Sequence, residues 1–126
     1  MSRAGGEPVA LDTCAVRLVD PDRVAAVRER MPDGEQLADL ARTFQVLAEP
    51  ARARIVTALL EAGELCVCDL AAVVDQRETV TSQHLRVLRA AGTVRNRRDG
   101  RMVYYSLADA HVRLLMDIAL QHIAHG

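Results

Sequence analysis

No stretch of the 126 residues comes near the roughly 18 to 20 consecutive apolar positions of a membrane-spanning helix, so a membrane partner is not expected. The opening "MSRAGGEPVA" lacks the basic-then-apolar order of a secretory signal, and the expected location is therefore cytoplasmic. Cysteine is scarce, with Cys14, Cys66 and Cys68 the three in the chain. So sparse and odd a count argues against a disulfide framework and favours reduced, metal-binding or reactive thiols. No Ser/His/Asp or paired-carboxylate arrangement stands out, so a hydrolytic enzyme is not expected. A thioredoxin-like strand-helix-strand pattern that would present thiols for redox chemistry is also missing. Internal repeats are absent. Net charge is small, formally -1, which argues against an indiscriminate nucleic-acid binder.

What is there suits one compact domain, since half the residues are apolar and the length is too short for two comfortable cores. Residues 1–19 read as a flexible N-terminal arm carrying Cys14, and 20–126 as the folded domain. Asp20 followed by Pro21 is a helix start, opening an amphipathic segment with Val24 and Val27 that ends near Pro32. Asp33 with Gln36 resembles a capping box, and Leu37, Leu40, Phe44 and Leu47 mark one face of the next helix. Pro50 starts a third helix, with Ile55, Val56, Leu59 and Leu60, that runs to Gly63.

Beyond Gly63 come a short helix in "CVCDLAAVVD", the polar turn "QRET" and a helix in "VTSQHLRVLRAAG" closed by Gly92. Val80, Leu85 and Leu88 face inward, leaving Thr81, Ser82, Gln83, His84 and Arg86 available outward, as in a helix-turn-helix whose second helix reads DNA. "TVRNRR" and "RMVYYSL" flank Asp99-Gly100, a strong hairpin signal, so a two-stranded wing with arginines at its tip is expected. A final helix runs from about Asp109 to Ala124. The fold class is mostly α with a β-hairpin wing, a winged helix-turn-helix. From Arg77 to Arg101 seven arginines stand against two acids, a local charge of +5, whereas residues 1–49 carry six arginines against nine acids. That asymmetry suits one face for a polyanion, with an arginine-rich solvated face as the bland alternative. Ser82, Gln83 and His84 are placed to reach base edges or phosphates, and Arg86, Arg95, Arg97, Arg98 and Arg101 to reach phosphates or a minor groove. His84 has a second reading as a packing histidine.

Two residue sets have the chemistry of metal ligands. In "ELCVCDL" the sulfurs of Cys66 and Cys68 are poorly placed for a mutual disulfide, because so small a ring strains the bond geometry. Positions i and i+2 of a regular helix point to different sides, so the pair converges on one ion only where the backbone is irregular, as at a helix N-terminus. With Cys14 they would make a three-thiolate set suited to large soft cations such as Cd(II) or Pb(II), and Asp69 is near enough in sequence to offer a fourth ligand. The alternative is that Cys66 and Cys68 are small buried hydrophobes and Cys14 an incidental thiol. In the last helix Asp109, His111, His122 and His125 form a good Zn(II) set. Asp109 and His122 stand roughly 20 Å apart along one helix. An antiparallel second copy brings the two halves together, so the spacing predicts a homodimer with this helix at its interface. The alternative is that Asp109 caps the helix and the histidines favour its dipole.

Taken together, "ELCVCDLA", "SQHLRVLRAAG", "RRDGRMVYYSL" and "DAHVRLLMDIALQHIAH" resemble the ArsR/SmtB family of metal-sensing repressors over about residues 35 to 125. "DTC" followed by "VDPDRV" extends the likeness toward the cadmium/lead-sensing branch. The resemblance implies a dimeric winged-helix protein that occupies operator DNA when metal-free and releases it on binding a metal ion, derepressing metal resistance genes. It implies that Cys66 and Cys68 are the CxC site beside the DNA-reading helix, with Cys14 reaching over from the other protomer. It also implies that Asp109, His111, His122 and His125 are the zinc site of the C-terminal helix. Two departures matter. Leu18 stands where cadmium/lead sensors often have a second N-terminal cysteine, which points to three sulfurs with Asp69 or water. Ala71 stands where arsenic sensors usually add a third local cysteine. A zinc-only sensor using the C-terminal helix, and an arsenite or thiol redox sensor, remain the alternatives.

Overall fold

The computed structural model describes residues 13–125, so most of the expected N-terminal arm lies outside the described residues. Helix α1 (Pro21–Arg30) begins where the Asp20 carboxylate accepts the Arg23 N–H at 3.1 Å. A reciprocal capping box opens α2 (Gly34–Leu47): the Gln36 N–H donates to Asp33 Oδ1 at 2.8 Å and the Asp33 N–H to Gln36 Oε1 at 3.2 Å. Helix α3 (Pro50–Ala62) starts behind Glu49, whose carboxylate accepts the Ala51 N–H, and stops at Gly63, where φ is 84°. Strand β1 (Glu64–Cys66) leads directly into α4 (Val67–Val74), which Asp75 closes in the left-handed region. Then follow α5 (Glu78–Ala90), β2 (Val94–Asp99), β3 (Met102–Leu107) and α6 (Ala110–His125).

The three strands form one antiparallel sheet in the order β1-β3-β2. Pairing of Asp99 with Met102 leaves Gly100 and Arg101 as a two-residue hairpin loop. Gly100 alone of the two has a positive φ, 63°, which is the pattern of a type II′ turn. The expected wing is therefore present, but the sheet has a third, unexpected strand, whose last residue, Cys66, the sequence pattern places at the start of a helix. Three residues are too few to display an alternating pattern, so β1 left no periodic signal.

One core unites α2 to α5 with the sheet: Val46 of α2, Ile55, Val56 and Leu59 of α3, Leu70 and Val74 of α4, Leu85 and Leu88 of α5, with Val94, Tyr105 and Leu107 from the wing strands. Burying each large aliphatic side chain contributes roughly 1.5 to 3 kcal/mol. Thr81 corrects the sequence reading, which left it available to DNA. It is fully buried, four residues before Leu85 on the same face, and its hydroxyl donates to the Arg77 carbonyl at 2.9 Å. The inward stripe of α5 thus runs Thr81, Leu85, Leu88, and Val80 is only half-buried.

The stripe read as the packed face of α2 also differs from expectation, with Leu37, Leu40 and Phe44 exposed and only Leu47 packed against the core. Helix α6 buries no residue completely, and Leu114, Ile118 and Ile123 lie open on it. By its contacts the chain divides into two units after Gln36, so α1 groups with the N-terminal segment and everything from Leu37 onward with the winged core. Helix α1 buries none of its own residues.

Candidate metal centre and nucleic-acid interface

The passage from β1 into α4 resolves the difficulty posed by the spacing of Cys66 and Cys68. Cys66 ends the strand and is the N-cap of α4, with extended dihedrals (φ -73°, ψ 161°), while Cys68 lies in the first helical turn. The change of backbone direction between them brings the sulfurs to 3.3 Å. Asp69 completes a cluster in which the two sulfurs and a carboxylate oxygen all lie within 4.8 Å of one another. Cys66 is buried, and Cys68 and Asp69 are exposed, so the cluster opens outward on one side.

The electrostatics of Cys66 are opposed. The Asp69 backbone N–H favours its thiolate, but the contact with Cys68, burial and the Asp69 carboxylate together outweigh that effect and hold the thiol above its ordinary pKa. A cation in the cluster would reverse that balance, since it binds the thiolates and offsets the carboxylate charge. Cys14 is exposed in the N-terminal unit, where it lines an open groove with Arg17, Leu18, Val24 and Val27.

The second ligand set is arranged differently. Asp109 caps α6, its Oδ1 accepting the His111 N–H at 2.9 Å and the Val112 N–H at 3.1 Å. The His111 ring, almost wholly exposed, stands with Nδ1 3.7 Å from the same oxygen. His122 and His125 lie in the last turn of the helix, also exposed. A single protomer does not bring the four together: among the described residues the Cys66, Cys68 and Asp69 group is the one cluster of metal-type ligands.

Between α5 and the wing, Ser82, Arg86 and Arg89 follow one another at helical spacing along α5 and line a cleft of about 300 Å³ with Asn96, Val103 and Tyr105 of the wing strands. Asn96 is oriented there by its Nδ2, which donates to the Tyr105 hydroxyl at 3.2 Å. Arg89 and Asn96 were not among the residues expected on this side. Arg89 was findable, because it follows Arg86 by three residues on the same helix. Val67, the residue between the two cysteines, also lines this cleft. Gln83 and Arg86 are exposed, as are Arg98 and Arg101 at the wing tip. Arg95 donates through Nε to Ser106 Oγ at 3.4 Å. His84 is half-buried, with Nε2 3.8 Å from Glu49, and so packs toward the start of α3.

Arg97 is held by Glu64 in a two-pronged ion pair, with Nε and one terminal nitrogen donating to the two carboxylate oxygens at 2.9 and 2.7 Å. Its guanidinium also lies over the Tyr104 ring, 4.7 Å from the centroid. The paired guanidinium draws the Glu64 pKa below its ordinary value, and Glu64 in turn raises that of Arg97. All sixteen basic residues of the chain are arginines, whose planar fork suits phosphate and carboxylate alike.

Residues 49–96, from the start of α3 into the wing, match the family described as bacterial regulatory protein, arsR family. The chain is 42% identical over 110 residues to a transcriptional repressor SmtB homolog from Synechocystis, covering 87% of this chain and 83% of the relative. It is 35% identical over 111 residues to a cadmium resistance transcriptional regulatory protein CadC homolog from Staphylococcus aureus, covering 88% and 91%. The chain belongs to the ArsR/SmtB family of metal-sensing transcriptional repressors. Its ArsR/SmtB fold is shared with a homodimeric winged helix-turn-helix DNA-binding domain from Mycobacterium bovis, at TM-score 0.64 and 29% identity over 83% of this chain and 92% of that one. Membership makes this ArsR/SmtB chain a non-enzymatic regulator of transcription. No helix among the described residues is long and apolar enough to cross a membrane.

Proposed function

We propose that this ArsR/SmtB regulator is a cytoplasmic homodimer that occupies operator DNA when metal-free and leaves it when a soft divalent ion, cadmium or lead, binds the thiolates of Cys66 and Cys68 with Cys14 and Asp69. The observation that carries this reading is the 3.3 Å approach of the two sulfurs beside the Asp69 carboxylate. Two thiolates on a tetrahedral ion with bonds near 2.3 Å stand roughly 3.8 Å apart, so the pair needs to open by only about half an ångström to hold zinc and further for a larger ion. Thiolate ligands select soft cations, and a single carboxylate oxygen is compatible with them. Cys14 supplies the third sulfur, from the partner protomer.

The residues prepare both halves of the switch. Gln83, Ser82, Arg86 and Arg89 on the reading helix, with Arg95, Arg98 and Arg101 on the wing, give phosphate affinity that falls with salt and base contacts that choose the operator. Thermodynamic linkage makes the metal and the DNA weaken one another equally, by a coupling of about 1 to 3 kcal/mol in typical cases. A second reading is favoured by the exposed histidines at both ends of α6: Asp109 and His111 of one protomer with His122 and His125 of the other form a zinc site across the dimer. Release of DNA then belongs to zinc, with the cysteines as packing residues. An arsenite or thiol redox role for Cys66 and Cys68 is the remaining alternative.

An anaerobic cadmium titration of reduced wild-type protein and Cys14→Ser, following the ultraviolet thiolate-to-metal charge-transfer band, separates these readings. An intense band with a sharp endpoint, much reduced in the variant, is the expected result. Absence of the band in the wild type would move the sensor to the histidine set.

A further inference from the structure

The sheet joins the cysteine strand to the wing. Tyr104 on the central strand pairs with Cys66 on one side and with Arg97 on the other, so the three residues form one row across the sheet. Glu64, two residues before Cys66 on the same edge strand, reaches over that row to grip Arg97 at 2.7 and 2.9 Å, with the guanidinium resting on the Tyr104 ring. The ion pair thus closes a link from β1 to β2 across β3. On the other side of the junction Val67 lines the cleft between the reading helix and the wing. Any change in the spacing of the Cys66 and Cys68 sulfurs therefore acts on an edge strand that is clamped to the wing.

We infer that Glu64 and Arg97 are positioning residues: their ion pair holds the wing to the cysteine strand, and re-spacing of the two sulfurs by an ion is passed to the wing through it. The inference rests on the metal-release reading above. Arg97 accordingly does not serve as a phosphate contact, unlike Arg98 and Arg101, because Glu64 holds its Nε and one terminal nitrogen while Asp99 lies 3.9 Å from the other. Glu64 keeps Arg97 from the DNA and uses it as a strut.

The test compares wild type, Glu64→Gln, Arg97→Ala and the charge-exchanged pair Glu64→Arg with Arg97→Glu. Affinity for a duplex selected from random sequence by the metal-free protein is measured with and without saturating cadmium, and each metal-free titration is repeated over a series of salt concentrations. Cadmium weakens wild-type binding by a factor in the usual range of about 5 to 150 for such couplings. Glu64→Gln keeps the cadmium charge-transfer endpoint but loses most of that factor. Its salt dependence steepens by about one phosphate contact per protomer, since the freed Arg97 fork now reaches DNA. The exchanged pair restores cadmium release.

An unchanged salt slope for Arg97→Ala is expected, and a slope shallower by about one contact would show Arg97 on phosphate and overturn the strut. Equal release by wild type and Glu64→Gln would also overturn it, while leaving the metal-release reading intact. Failure of the exchanged pair to release when Glu64→Gln also fails would assign the defect to Glu64 alone and reject the bridge. Wild type that holds its duplex at saturating cadmium, despite a complete charge-transfer endpoint, would overturn the metal-release reading and the strut with it.

Discussion

At the β1–α4 junction two sulfurs and a carboxylate come within 4.8 Å inside one protomer, whereas along α6 an aspartate and three histidines are strung from residue 109 to residue 125 on exposed ends of a single helix. The difference lies in the backbone. A strand that turns into a helix redirects the chain within one residue, so side chains at i and i+2 converge. A straight helix advances 1.5 Å per residue and keeps distant ligands apart. Local folding is enough to assemble the first group, and only a second copy can assemble the other. The same contrast holds for packing, since Leu70 of α4 is fully buried and Ile118 of α6 is 55% exposed.

The largest effect expected from this comparison is at the junction. Cys66→Ser should strip much of the charge-transfer band and weaken cadmium binding by at least about 100-fold, beyond what loss of an outer-shell partner costs, as read by chelator competition. Zinc binding at α6 should be untouched, and a joint loss of both would break the distinction between the two groups. Next, apparent cadmium affinity should rise by about tenfold per pH unit through the neutral range for each thiol proton displaced. The sign follows from Cys66. Its raised pKa favours the protonated form in the folded protein, a contribution present at low pH and lost as pH rises through the raised value, so metal competes with a proton throughout that window.

Packing gives the third expectation. Leu70→Ala should cost roughly 2 to 5 kcal/mol of unfolding free energy. Ile118→Ala should cost the protomer far less but shift the dimer equilibrium, measured by sedimentation over a concentration series. An unchanged dimer would remove α6 from the interface. The smallest effect is at the wing tip, where Arg101→Ala should flatten the salt slope of DNA binding by about one contact with little change in operator preference.

Several features were legible in the sequence because their cause is local. The Asp20 cap, the Asp33 and Gln36 box, the Gly63 stop and the hairpin turn at Gly100 each rest on the side chains or backbone freedom of a few neighbouring residues. Helix α5 was legible through its period, although the stripe was set one residue off at Val80 and Thr81. A threonine that satisfies its own hydroxyl on the Arg77 carbonyl can be buried, and nothing in its polarity discloses that. Strand β1 was too short to read, and with it went the partnership of Glu64 with Arg97, 33 positions away. Exposure of Leu40 and Phe44 was equally hidden, since an apolar face looks the same in sequence whether its cover is this chain or another.

The sequence by itself determined the helices and the hairpin, the arginine-rich stretch from 77 to 101 and the presence of two chemically distinct sets of metal-type side chains, because propensity, capping and residue type are properties of short segments. The tertiary structure decided which metal-type side chains meet, that Arg97 is bound to Glu64, and that Arg89 and Asn96 share a cleft with Val67. Those outcomes depend on strand pairing and helix packing between residues far apart in the chain, where distance and direction, not composition, set the chemistry.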